Sequence, residues 1–365
     1  MYPDIVYQIA LTRIPQIGPV QARLLLARLS LREIFTVSER VLEKIEGVGR
    51  VRAASIRQFR QFSEVEAELR FMERHRIRAL FFTDEDYPQR LLHCYDAPLL
   101  LYYKGSADLN SNRSLSIVGS RRVTDYGQQV TKDLIRNLAG EPTLIVSGLA
   151  YGIDALAHRE ALVHGLPTVA VLAHGLDRIY PGVHAGLARD MLANGGGLLT
   201  EFPGNTLPDR YHFPQRNRVV AGLTDATVVI ETALRGGSMI TADLAWDYHR
   251  EIFAVPGRIT DKRSAGCNEL IRSNKAHLYT DTDTLCNVIG WRAAAGPAPT
   301  TPCLFPDPGP DELAVINLLR EKPLLQVDEI SFMTGLDFSR VAGAILTLEL
   351  QNRVLSLPGK RYRLS

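Results

Sequence analysis

Residues 213–223, FPQRNRVVAGL, set Arg216, Asn217 and Arg218 just ahead of an apolar helical pattern. Two guanidiniums and an amide at the mouth of a helix suit an anion. The first N–H groups of a helix lack partners within it and carry the positive end of its dipole. Three other segments offer the same chemistry. IVGSRRVTDYG (117–127) reads as a strand, a Gly119–Ser120 turn and then Arg121 and Arg122. IVSGLAYGIDALAH (145–158) places Ser147 and Gly148 after a strand, and ETALRGGSMITA (231–242) places Gly237 and Ser238 before a helix. Gly-Ser turns close many α/β units, so one alone says little. Four such segments together, with Arg121, Arg122, Arg216 and Arg218 attached, predict a phosphate-binding rim.

Other chemistries find less support. Asp154 and His158 lie four apart on a helical pattern, but no third metal ligand is near in sequence, so a cap and a packed histidine are the expectation. His174, His184 and His212 have no serine or cysteine in a nucleophile setting, and Ser147 lacks the glycine two positions before it that a nucleophile elbow needs. Glu201 in LLTEFPG could act as a base; pairing with an arginine to fix its loop is the preferred reading. Neither GxGxxG nor GxxxxGK[ST] occurs, which removes the usual markers of dinucleotide and ATP chemistry. The expectation is no catalytic residue, no metal and no cofactor.

The elements that must position the rim come in blocks. Residues 1–76 read as all-helical and 1–80 hold 14 Lys and Arg against 9 Asp and Glu. IPQIGPVQA (14–22) is echoed 31 residues later by IEGVGRVRA (45–53), a helix-hairpin-helix-like pair able to meet phosphates or simply to pack. From 77 to 290, apolar β-branched runs alternate with helical patterns, which predicts a mostly parallel, doubly wound sheet covered on both faces. Ligands of such sheets sit beyond the carboxyl ends of the strands. Residues 291–310 are rich in Pro and Ala and read as a linker; 311–365 read as three helices, the second stopped by Gly335, and a hairpin over 354–365. That last pattern resembles a winged helix, and its acidic residues favour protein or weak DNA contact.

The motifs GSRRVTDYG, SGLAYGIDALAH, GLDRIYPGVHAGL, EFPGNTLPDRYHFPQRNRVVAGL, GGSMITADLA, FAVPG and GCNELI, in this order, resemble those of the DNA-processing protein A family, also called DprA or Smf. The resemblance implies an extended Rossmann-like domain that binds single-stranded DNA without sequence preference and dimerises through that domain. It further implies protection of incoming strands during natural transformation, displacement of the single-strand-binding protein, loading of the RecA recombinase, and no catalysis. It assigns the backbone-phosphate turn to Gly119, Ser120 and Arg121. Arg210 becomes a basic contact, Phe213 a face for a base, and Arg216, Asn217 and Arg218 a basic run beside Gly237 and Ser238. Arg122, Ser147 and Gly148 complete the expected interface. A nucleoside-monophosphate phosphoribohydrolase of the LOG type is the alternative, but GGSMITADLA lacks both the proline before the glycines and the glutamate of that motif.

Bulk properties agree with a binding rim rather than a polycation: net charge is +2 over 365 residues. The four cysteines, 94, 267, 286 and 303, lack metal-ligand spacing and read as reduced thiols of a cytoplasmic protein. No apolar run approaches the roughly 20 residues of a membrane helix.

Overall fold

The computed structural model describes residues 2–292, 308–351, 353–357 and 361–364. It divides at residues 293–294 into two compact units.

The larger unit opens with six helices: α1 (Asp4–Thr12), α2 (Pro19–Leu26), α3 (Leu31–Thr36), α4 (Glu39–Glu43), α5 (Gly49–Gln58) and α6 (Phe62–His75). The two echoed turns precede α2 and α5. Gln16 and Gly47, which occupy the same position of the repeat, both take positive φ, 67° and 81°. The Arg52 side chain joins the turns, Nε donating to the Gln16 carbonyl at 3.2 Å and Nη1 to that of Gly47 at 3.0 Å. These helices share a core with the sheet that follows, through Phe81, Leu100 and Tyr102.

That sheet has nine strands. In chain order the elements are β1 (Arg78–Phe81), α7 (Gln89–Leu92), β2 (Leu100–Gly105), β3 (Ser114–Val118), α8 (Asp125–Leu138), β4 (Leu144–Ser147), α9 (Ile153–Val163) and β5 (Thr168–Val171). There follow α10 (Ala185–Ala193), β6 (Gly197–Thr200), α11 (His212–Gly222), β7 (Ala226–Val229), α12 (Gly237–Asp247), β8 (Glu251–Ala254), α13 (Ala265–Arg272), β9 (His277–Leu278) and α14 (Thr282–Val288). The spatial order is β1-β2-β6-β5-β4-β3-β7-β8-β9. From β6 to β9 all neighbours are parallel; β2 runs antiparallel to β6, and β1 to β2.

Side chains alternate between two covers, as the period of a strand requires. Ile117, Ile145 and Val228 face α8, α9 and α14, while Val118, Val146 and Val229 face α11, α12 and α13. Both faces are therefore buried, which is why these strands read as continuous apolar runs. The chain reverses its direction of winding at β3, which has β4 on one side and β7 on the other. In doubly wound sheets the ligand crevice opens at this switch.

The smaller unit packs α15 (Pro310–Glu321), α16 (Val327–Thr334) and α17 (Phe338–Leu350) with a sheet of β10 (Leu325–Gln326), β12 (Arg361–Leu364) and β11 (Val354–Leu357). Gly335 ends α16 at φ 68°, and Asp337 caps α17 through the Arg340 N–H at 2.9 Å. Of the expected linker 291–310, residues 293–307 lie outside those described, as does Cys303. Cys94, Cys267 and Cys286 are free and buried. No helix among the described residues is long and apolar enough to cross a membrane.

Candidate nucleic-acid interface

A cleft of about 740 Å³ opens at the switch. Its walls include Gly119, Ser120, Arg121, Gly148, Arg210, Phe213, Arg216, Asn217, Gly237 and Ser238. Four separate segments of sequence thus meet at one place.

The reason lies in how each loop leaves its strand. After β3 the chain turns at Ser120, whose hydroxyl bonds back to the Arg122 backbone at 3.1 Å and sends Arg121 outward. Arg121 is exposed and forms no ion pair among the described residues. Glu231, 1% exposed at the end of β7, fixes the far side of this turn by accepting from the Thr124 N–H at 3.1 Å and from its hydroxyl. The turn after β4 nests beneath it: Gly152 sits at φ +80°, and a Cβ there would stand 2.1 Å from the Ser120 carbonyl. After β7, α12 starts at Gly237 with no side-chain cap, so its first N–H groups have no side-chain partner.

Helix α11 explains the arginines. It begins at His212, one residue before Phe213, because Pro214 falls in the first turn, where no N–H is required. Phe213, Arg216 and Asn217 are then three and four apart and share the face toward the cleft. Phe213 is half-buried, with the Arg121 guanidinium 5.7 Å and the Arg216 guanidinium 5.9 Å from its ring centre. Arg216 lies below, 5% exposed, with Nη1 donating to the Gly148 carbonyl at 2.6 Å and to that of Val171. Burial lowers its pKa to about 10, and it stays charged at neutral pH. Asn217 accepts from Arg216 Nε at 3.2 Å.

Three expected contacts lie elsewhere. Arg218 is five positions from Phe213, so it turns about 140° away. Its guanidinium pairs with Glu201 and bonds the Asp96 carbonyl, with only 12% of the side chain exposed. The Arg216–Arg218 run is therefore not one basic wall but two arginines on opposite sides of a helix. Ser147 is fully buried and donates to the Ile117 carbonyl at 2.6 Å, tying β4 to β3. Arg122 is exposed but does not line the cleft.

Glu201 meets an arginine, as preferred, and burial raises its pKa despite that partner. Asp154, on the cleft floor, accepts from the N–H groups of Gly148 at 3.2 Å and Ala150 at 3.3 Å, and burial raises its pKa. His158 is packed, its Nδ1 2.7 Å from the Thr168 hydroxyl, and burial lowers its pKa to about 3. No group of three or more potential metal ligands occurs among the described residues.

Tyr180 is not singled out by the sequence as part of the site. It is half-exposed, lines the cleft and packs 6.1 Å from Phe213 between ring centres. His174 holds it there by accepting from the Tyr180 N–H at 3.2 Å. Its signal in the sequence is its place in the GLDRIYPGVHAGL motif, as an aromatic residue before a proline.

Residues 78–290 match the family model for DNA recombination-mediator protein A, and 292–360 match the DprA winged helix domain. Protein Smf of Escherichia coli is 34% identical over 307 residues, 82% of this chain and 81% of that one. The X-ray structure of DNA processing protein A from Streptococcus pneumoniae superposes with a TM-score of 0.58 at 33% identity, covering 73% of this chain and 96% of that one. A structure of the Helicobacter pylori protein, described for its single-stranded DNA binding mode, gives 0.53 at 31% identity, covering 59% and 96%. With its motifs, its sheet and both family models in agreement, the chain belongs to the DNA recombination-mediator protein A family, the group named DprA or Smf.

Proposed function

We propose that the cleft binds single-stranded DNA without sequence preference, and that the protein guards such strands and hands them to the RecA recombinase. The observation that carries this reading is Phe213, a partly exposed aromatic ring in the cleft wall, with Arg121, which has no ion pair among the described residues, beside it and the uncapped α12 N–H groups in the same cleft. Every base has a face to stack, whereas recognising particular bases requires hydrogen bonds to their edges. Phosphates suit Arg121, Arg210 and the N–H groups of Gly237 and Ser238. The single-stranded DNA binding described for the Helicobacter pylori relative supports the same choice. A homodimer and contact with the single-strand-binding protein belong to this reading through the family.

Duplex DNA turns its base faces inward, so Phe213 favours unpaired strands. Replacing Phe213 by Ala should weaken oligothymidine binding by about 1–3 kcal/mol while leaving the salt slope unchanged, since stacking releases no counterions. A fluorescence titration giving equal affinities for the variant and the parent would refute the stacking role. Release of ribose 5-phosphate on incubation with AMP would replace this reading with an enzymatic one.

A further inference from the structure

Strands β3, β7 and β8 are parallel neighbours, so the loops that follow them emerge at the same end of the sheet. The first two supply Arg121 and Gly237. The third, PGRITDKRS over 256–264, does not line the cleft. Arg258, Lys262 and Arg263 are exposed on it and form no ion pair among the described residues. Its one carboxylate, Asp261, turns back to accept from the Arg263 N–H at 2.9 Å. Ile259, between the cations, is 96% exposed.

The loop is fixed in place. Asp261 N–H donates to the Arg258 carbonyl at 2.9 Å and Ser264 N–H to that of Asp261 at 3.1 Å, forming two successive turns. The Tyr126 hydroxyl donates to the Pro256 carbonyl at 3.1 Å, and Asn268 bonds both backbone groups of Gly257. Just beyond, the Gly266 N–H donates to the Thr232 carbonyl at 2.8 Å, and Thr232 lines the cleft.

We propose that residues 256–264 form a second contact for the DNA strand, taking it as it leaves the Phe213 cleft. This rests on the cleft binding single-stranded DNA. Three unpaired cations around an isolated apolar side chain suit a chain of phosphates with apolar faces between them. A small anion would need one cation rather than three. An anionic membrane offers similar chemistry, but the tie through Thr232 makes the loop continuous with the cleft, which favours the strand.

The test compares the full chain with Arg258→Ala/Lys262→Ala/Arg263→Ala, using a short oligothymidine that fills the cleft alone and a long one that extends beyond it. The expected result is a salt slope smaller by about 2 on the long strand, three phosphates at about 0.7 each, and no change on the short strand. The thermal midpoint should stay at the parent value. An unchanged slope on the long strand overturns the proposal, as does an equal loss on both lengths with a lowered midpoint. So does loss of binding to phosphatidylserine vesicles with strand binding intact. Arg121→Ala/Phe213→Ala is measured alongside: weakening on both lengths upholds the cleft, and no effect on either refutes the cleft separately from the loop.

Discussion

The two arginines that the sequence makes look equivalent to each other, Arg121 and Arg218, should fail in opposite ways. Arg218 and Glu201 are a buried pair, their side chains 12% and 9% exposed; Glu201 Oε2 takes the Arg218 guanidinium and, at 3.5 Å, Gln215 Nε2, while Oε1 has no hydrogen-bond partner among the described residues. Removing one member of such a pair leaves an uncompensated charge, at a cost of about 3–5 kcal/mol. Against a total of about 5–15 kcal/mol for a folded domain, Arg218→Ala should lower stability by a large fraction. The loss should also depend on pH. Burial already holds Glu201 above its ordinary value. Without its cation it rises further, so the unfolded state releases a proton that the folded state keeps, and the variant loses stability as pH rises above the ordinary carboxylate range. Arg121→Ala should change stability by no more than about 0.5 kcal/mol, being exposed and unpaired, yet lower the salt slope of strand binding by about 0.7. Urea unfolding at several pH values, paired with salt titrations of oligothymidine, reads both quantities. Parent-like stability for Arg218→Ala together with a slope reduced by 0.7 would place Arg218 on the strand and refute the helix-face argument.

Three further outcomes follow from the packing. Gly148→Ala should disrupt the cleft, since its Cβ would stand 2.5 Å from the Arg216 guanidinium, whereas Gly237→Ala has open space, should fold normally and should weaken strand binding alone; circular dichroism with titration separates the two. Gln16→Gly should raise stability by about 0.5 kcal/mol by relieving a left-handed backbone, offset in part by greater freedom when unfolded, as measured by denaturant midpoint. His158, with its pKa lowered to about 3, stays neutral in the fold while the unfolded chain takes a proton below its ordinary value of about 6.5, so stability should fall as pH drops through that window. His158→Leu should flatten the slope there by about 1.36 kcal/mol per pH unit; an unaltered slope would show that the histidine is not the group responsible.

The parallel strands were legible because strands buried on both faces spell out unbroken apolar runs. The antiparallel β1 and β2 were not, lying where the helical block gives way to the sheet and pairing outside the strand–helix alternation that marks the parallel strands. At the site, the glycine turns and Phe213 could be found from residue types alone. The separation of Arg216 from Arg218 could not, because the apolar pattern marks the helix only beyond Arg218, whereas α11 starts at His212 and carries both arginines on its turns. Tyr180 escaped because its place comes from how its loop folds back on His174, which no residue type announces, and Ser147 misled because a small polar residue at a strand end can bond a neighbouring strand as readily as a ligand.

Arg216 has a consequence for experiments at high ionic strength. Mobile ions weaken interactions between exposed charges beyond a Debye length of about 8 Å at 0.15 M, but reach a buried charge far less effectively. The part of the Arg216 positive potential that the neighbouring Asp154 leaves uncompensated should therefore survive conditions that silence Arg121 and Arg210. Added salt would then drive affinity down to a plateau rather than to zero, and the height of that plateau would report the buried guanidinium and the aromatic face together.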